Sequence, residues 1–207
     1  MGATGSGKTT LVNLVERFYD PDKGTVLLDG VDLRKWPKNK LRENISLVMQ
    51  DVFIFAGNLA DNISLGRKSL GENALRLAAA EANALSFIES LHDGFQQDIG
   101  EGGSTISVGE RQLLSFARAL AARPRVLILD EATSSVDPQT EGLIQNAISQ
   151  MTVNRTTLVV AHRLSTIRNA DRILVMHHGQ IVEQGRHEEL MKPGGIYYKL
   201  NRLREGE

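Results

Sequence analysis

Gly2-Ala3-Thr4-Gly5-Ser6-Gly7-Lys8-Thr9 opens the chain and decides how the rest is read. Its spacing is G-x-x-x-x-G-K-[ST]. Glycines let the backbone turn tightly, so that successive N–H groups face one concavity suited to phosphate oxygens. A helix beginning at Lys8 would aim its positive end at the same point. Lys8 would offset the anion's charge, and the Thr9 hydroxyl would stand ready for Mg²⁺. The bland alternative is a flexible glycine-rich terminus. Against it, Leu11, Leu14, Val15 and Phe18 fall on one helical face between Lys8 and Phe18, before Asp20-Pro21 stops the run. A loop of this kind follows a buried strand, and only Met1 precedes this one. The expectation is therefore a domain lacking its N-terminal strands.

Val126-Leu127-Ile128-Leu129-Asp130-Glu131 is the second decisive stretch. Four apolar residues in a row suit a strand buried on both faces. At its C-terminal end Asp130 would hold Mg²⁺ through water, and Glu131 would reach a water lined up on a terminal phosphate. Alone, such a pair could equally be a helix cap followed by a solvated glutamate.

Composition narrows the classes. A length of 207 residues suits one domain at roughly 100–200 residues per domain. Hydrophobic residues at 41% and charged residues at 24% form a globular balance. A net charge of −1 gives no general basic field, so nucleic acid is not an expected partner. With no cysteine, disulfides, thiolate metal sites and cysteine nucleophiles are excluded. No run of 18 apolar residues predicts a membrane-spanning helix, and no apolar segment of a secretion signal opens the chain.

Between these stretches the pattern alternates. Strands are expected at Thr25–Leu28, entering a tight hairpin turn at Asp29-Gly30, and at Asn44–Met49. A single helix is expected over Glu72–Leu91, burying Leu75, Ala78, Leu85, Ile88 and Leu91. Gly94–Ser107 reads as loop. A helix capped by Ser107 then covers Gly109–Ala122, with Leu113, Phe116, Ala117 and Leu120 inward and Arg123-Pro124 as its stop. Gly142–Met151 reads as helix and Thr157–Ala161 as a buried strand. Arg172–Met176 and Gln180–Glu183 flank His177-His178-Gly179 as a hairpin. Strands alternating with helices argue for an α/β domain with a mainly parallel sheet. His92, His177, His178 and His187 show no partner pattern and are expected at the surface; Trp36, beside Pro37, is expected to pack.

Ile106-Ser107-Val108-Gly109-Glu110-Arg111-Gln112 completes a set. With it come Gln50 in Val-Met-Gln-Asp, Ser134-Ser135-Val136-Asp137 after the acidic pair, and His162 in Val-Val-Ala-His-Arg. In this order, over nearly the whole chain, they resemble the nucleotide-binding domain of ATP-binding cassette (ABC) transporters, whose signature is written LSGGQRQ. Asp98-Ile-Gly-Glu-Gly-Gly and Asp61-Asn-Ile-Ser-Leu-Gly look most like the exporter subgroup. Val108 replaces a signature glycine and Glu110 a glutamine.

The resemblance implies a P-loop NTPase (RecA-like) α/β fold: a mainly parallel sheet flanked by helices, with an inserted α-helical subdomain at roughly 54–122. Residues 1–207 would form one ABC ATPase domain. Gly2, Ala3, Thr4, Gly5, Ser6, Gly7, Lys8, Thr9 and Thr10 would hold ATP. Thr9, Gln50 and water-mediated Asp130 would surround Mg²⁺. Glu131 would be the general base or water polariser, and His162 would bond the γ-phosphate. Ser107 and Gly109 would complete the site of an opposite subunit, homologous or identical, and Asp137 would reach across that dimer. A capped helix start preceded by glycines also suits an anion on physical grounds. Gln50 and Glu101 would relay the nucleotide state to a transmembrane domain, placing the chain on the cytoplasmic face of the membrane. Rival readings are an ATP-gated dimerisation module without turnover, and a phosphate-loop enzyme of another kind. A small-molecule kinase has no use for residues 106–112, and a DNA-maintenance ATPase would carry sustained heptads between Lys8 and Ser107, which are absent.

Overall fold

A computed structural model describes residues 1–67, 69–130, 138–160 and 167–205. In chain order the elements are α1 (Lys8–Val15), β1 (Leu27–Leu28), β2 (Val31–Asp32), α2 (Lys38–Asn44), β3 (Ile45–Val48), α3 (Leu59–Ser64), α4 (Glu72–Glu81), α5 (Leu85–Ser90), α6 (Val108–Ala121), β4 (Val126–Asp130), α7 (Pro138–Thr152), β5 (Thr156–Val160), β6 (Ile173–His177), β7 (Gln180–Gly185), α8 (His187–Leu190) and α9 (Ile196–Glu205). They divide into two compact units, Lys38–Leu158, and Met1–Pro37 with Val159–Glu207.

In the Lys38–Leu158 unit, β4 is the strand its apolar run predicts. Val126, Leu127, Ile128 and Leu129 are all buried, each worth about 1.5–3 kcal/mol over exposure. β4 pairs in parallel with β3, from Ile45 opposite Val126 to Val48 opposite Leu129. The described sheet runs β3-β4-β5. β5 departs from expectation: Thr157, Leu158 and Val159 are only half-buried, on a strand whose one neighbour in the described sheet is β4. α6 turns Leu113, Phe116, Ala117 and Leu120 inward as expected and packs on α3, α4, α7 and β3.

The expected single helix over Glu72–Leu91 is two, α4 and α5. Asn83 breaks it with φ 55°. Its N–H bonds the Ala80 carbonyl at 3.0 Å and that of Ala84 bonds Ala79 at 2.7 Å, so a left-handed residue closes α4 by satisfying its last carbonyls. Leu75, Ala78 and Ile88 are buried, whereas Leu85 and Leu91, displaced by the break, are half-buried.

A polar knot ties α3 to α6. Asn62, 1% exposed, accepts the Phe55 N–H at 3.0 Å and donates to the carbonyls of Phe55 at 2.9 Å and Asn58 at 3.0 Å. Arg118 donates to the Asn62 carbonyl at 2.8 Å, the Asn62 side-chain oxygen at 3.1 Å and the Phe53 carbonyl at 2.7 Å. Its guanidinium lies 5.5 Å from the centre of the Phe55 ring. Burial pushes the Arg118 pKa down from its ordinary value, and these acceptors compensate the charge. The knot holds Phe53 and Phe55 outward, 67% and 49% exposed, edge to face at 4.9 Å.

In the other unit, α1 stops at Val15 rather than reaching Phe18. Arg17 takes φ 52°, and its side chain holds it there, donating to the Leu33 and Trp36 carbonyls at 2.8 and 3.0 Å and to Asp20 at 2.9 Å. Val12 is the buried residue of α1, and Phe18, expected on the buried face, is exposed. The β1–β2 and β6–β7 hairpins form at the two predicted turns. Ile167, Ile173, Val175 and Tyr197 make a small core with Met1, Ala170, Leu190, Ile196 and Leu200 around it. Glu183 accepts the N–H groups of Ile196 and Tyr197 at 2.7 and 2.9 Å, capping α9. His187 is not the free surface residue expected: it is half-buried, with Nδ1 2.7 Å from the hydroxyl of buried Tyr197.

Asn62→Ala strands the Phe55 amide groups and part of the Arg118 guanidinium in a buried setting. Urea unfolding should show a loss of about 3 kcal/mol; a loss below about 1 kcal/mol would mean that the knot does not hold the 53–55 segment.

Candidate nucleotide-binding site

Residues 2–10 form a closed turn leading into α1. The Ser6 N–H bonds the Ala3 carbonyl at 3.1 Å. Gly7 is the N-cap residue of α1 with φ 100° and ψ 7°, a conformation that excludes most side chains. A Cβ there would also lie 3.3 Å from the Gly179 Cα. Lys8 folds back over the loop, its ammonium donating to the Gly2 and Ala3 carbonyls at 2.9 Å each and to the Ser6 hydroxyl at 3.3 Å. The N–H groups of Gly5, Gly7, Thr9 and Thr10 find no acceptor among the described residues. A helix start leaves such donors over, and here a lysine stands beside them. Donors of this kind, with a cation and an exposed Thr9 hydroxyl, fit a phosphate chain carrying Mg²⁺.

Met1 lies alongside β6: its carbonyl accepts the Met176 N–H at 2.8 Å and its ammonium donates to the Leu174 carbonyl at 2.7 Å.

In the Lys38–Leu158 unit, Asp130 ends β4 and Gln50 follows β3 by two residues. Parallel pairing in register carries both to the same C-terminal edge of the sheet, where ligands of open α/β sheets bind. Gln50 is exposed and Asp130 half-buried.

Ser107 caps α6 as its position predicts. Its hydroxyl accepts the Glu110 N–H at 3.2 Å, and the Glu110 carboxylate accepts the Ser107 N–H at 2.7 Å. This reciprocal pair is a capping box, and it explains Glu110: a glutamate at the third helical position is the residue the box uses. The Ser107 hydroxyl keeps its own proton for a further acceptor. Ser107 is exposed and Gly109 buried. Glu101 is exposed in a short 3₁₀ turn, Glu101–Gly103. Glu131, Asp137 and His162 lie outside the described residues.

A family profile described as ABC transporter matches residues 1–134. The chain belongs to the ABC transporter family. It is 51% identical, over 207 residues, to an ATP-dependent lipid A-core flippase of Chromobacterium violaceum, covering all of this chain and 35% of that protein. It is 48% identical over 202 residues to a fatty acid ABC transporter ATP-binding/permease protein of Mycobacterium bovis, covering 98% of this chain and 32% of the other. A solved bacterial Atm1-family ABC exporter with ATP bound superposes with a TM-score of 0.89 at 37% identity, over all of this chain and 36% of that one. The exporter-type resemblance and the α/β fold of the P-loop NTPases both stand. The chain spans about a third of the length of these relatives.

Sequence reasoning missed the Asn62–Arg118 knot and the exposed Phe53–Phe55 pair. A signal existed: Arg118 interrupts the apolar face of α6 between Ala117 and Ala119.

The capping box can be separated from any role toward phosphate. Ser107→Ala should lower stability by about 1 kcal/mol in urea. Glu110→Gln, which preserves the box chemistry, should stay within about 0.5 kcal/mol of the parent. Equal losses from both substitutions would contradict the box.

Proposed function

We infer that the chain is the nucleotide-binding domain of an ABC exporter that binds MgATP and hydrolyses it to drive transport. The observation that carries this reading is the loop at residues 2–10, where the amides of Gly5, Gly7, Thr9 and Thr10 find no acceptor among the described residues and a lysine folds back over the loop, in a chain half identical to an ATP-dependent flippase. Residues 1–207 would act as one ABC ATPase domain, with the helical stretch at roughly 54–122 as its inserted subdomain.

The residues divide the work as follows. The amides of Gly5, Gly7, Thr9 and Thr10 and the Lys8 ammonium hold the phosphate oxygens. Thr9, Gln50 and, through water, Asp130 would hold Mg²⁺, which supplies positive charge against the β- and γ-phosphates. Glu131 polarises the attacking water, and His162 bonds the γ-phosphate and keeps that water in line. Ser107, with its proton free to donate, and the start of α6 close on the nucleotide of a second ABC ATPase domain, identical or related; Asp137 spans the pair. Two bound nucleotides thus favour the closed dimer, and loss of the γ-phosphate lets it open, a switch set by differential affinity.

The partner on the other side is a transmembrane domain. Phe53 and Phe55 offer it an exposed aromatic surface three and five residues after Gln50, held rigid by Asn62 and Arg118. Gln50 and Glu101 would pass the nucleotide state to it, on the cytoplasmic face of the membrane.

Glu131→Gln in the full-length protein should cut phosphate release at least about a hundredfold while MgATP affinity stays within about threefold. Unchanged turnover would remove Glu131 as base. A parent protein that binds MgATP yet never releases phosphate would favour the dimerisation module without turnover.

A further inference from the structure

The Ser6 carbonyl and the Gly7 N–H belong to one peptide plane, and a trans peptide points them in opposite directions. That carbonyl accepts the Gly179 N–H at 3.0 Å. Gly179 is the second residue of the two-residue turn joining β6 to β7, with φ 47° at His178 and 76° at Gly179, positive at both positions as a type I′ turn requires. The same hairpin grips residue 1 through Met176 and Leu174. The phosphate loop is therefore fastened to β6–β7 at Met1, just before it begins, and again at Ser6. Past the second attachment, the Gly7 carbonyl is taken by the Leu11 N–H at 3.0 Å. With the carbonyls on both sides of Gly7 tied, its N–H is left pointing away from the hairpin.

We propose that the His178-Gly179 turn is a positioning element of the nucleotide site: the Gly179 N–H, by holding the Ser6 carbonyl, presets the Gly7 amide toward the phosphates. Gly179 acts through the Ser6–Gly7 peptide and touches no nucleotide. An amide already turned toward its ligand spares the ligand the ordering cost. This inference rests on the nucleotide-binding reading above.

The molecule contains its own control. Asp29-Gly30, between β1 and β2, repeats the turn with φ 51° and 77°. A Cβ at Gly30 or at Gly179 would meet nothing within 4 Å, so the two glycines differ in partner and not in crowding. Valine strains either turn equally, because a β-branched residue resists positive φ. Asparagine tolerates it.

The test is the dissociation constant for MgATP by calorimetry, on the full chain, with thermal melting to verify folding. Gly179→Val should raise the constant at least tenfold. Gly179→Asn and Gly30→Val should each stay within about threefold of the parent, although Gly30→Val lowers the melting temperature as much as Gly179→Val does. Should Gly179→Val fail to fold, replacement of Gly179 by glycolate, which turns its N–H into an ester oxygen without strain, decides the matter: a raised constant supports the proposal and an unchanged one overturns it. Equal weakening by Gly30→Val, equal weakening by Gly179→Asn, or parent-like binding by a folded Gly179→Val also overturns it. A parent chain that binds no MgATP overturns the nucleotide-binding reading and this inference together; parent binding with no effect at Gly179 overturns the inference alone.

Discussion

Backbone N–H groups must find acceptors, and at the start of α1 the described residues do not supply them. Gly5, Gly7, Thr9 and Thr10 keep their donors while Lys8 adds a cation beside them. Three other helix starts are closed locally: Ser107 and Glu110 cap α6, Glu183 caps α9, and the Asn58 side chain accepts the Asp61 N–H at the start of α3. α4 and α5, which start after Gly71 and Ala84, also lack a side-chain cap; what sets α1 apart is the lysine folded back beside its open donors. Open donors beside a cation are the combination that suits an anion.

The Lys38–Leu158 unit is built from parts held in fixed register. Parallel pairing of β3 with β4 brings Gln50 and Asp130 to one edge of a buried sheet. α6 begins at Ser107 and, through Arg118, ends up gripping the segment that displays Phe53 and Phe55. A single helix thus joins the signature residues to an exposed aromatic surface, both within the Lys38–Leu158 unit. Polar side chains make that joint, which fixes direction where apolar packing alone would tolerate sliding.

Much of this was legible in the residues. Val126–Leu129 announced a doubly buried strand, Ser107 a helix start, and the Asp29-Gly30 and His178-Gly179 pairs two hairpins, because each is a local rule with a short range. What escaped reading needed distant partners. Arg17 adopts a left-handed conformation that its type disfavours, and the carbonyls of Leu33 and Trp36 hold it there. Asn83 ends a helix that alanine-rich spacing would continue, and its Nδ2 reaches the Leu143 carbonyl at 3.2 Å. Half-burial of β5 depends on which strands neighbour it, and His187 looked unpartnered until the chain brought Tyr197 to it. The roles proposed for Asp137 and His162 rest on motif resemblance alone, and that of Glu131 also on its place after a four-residue apolar run.

A crystal structure with Mg²⁺ and a non-hydrolysable ATP analogue tests the central claim most directly. The account predicts phosphate oxygens within hydrogen-bond distance, about 2.7–3.2 Å, of the Gly7, Thr9 and Thr10 amides. Lys8 should be swung from the Gly2 and Ala3 carbonyls onto the phosphates, and Mg²⁺ should sit at the Thr9 hydroxyl. Analogue bound anywhere else, with Lys8 still folded on its own loop, would contradict it.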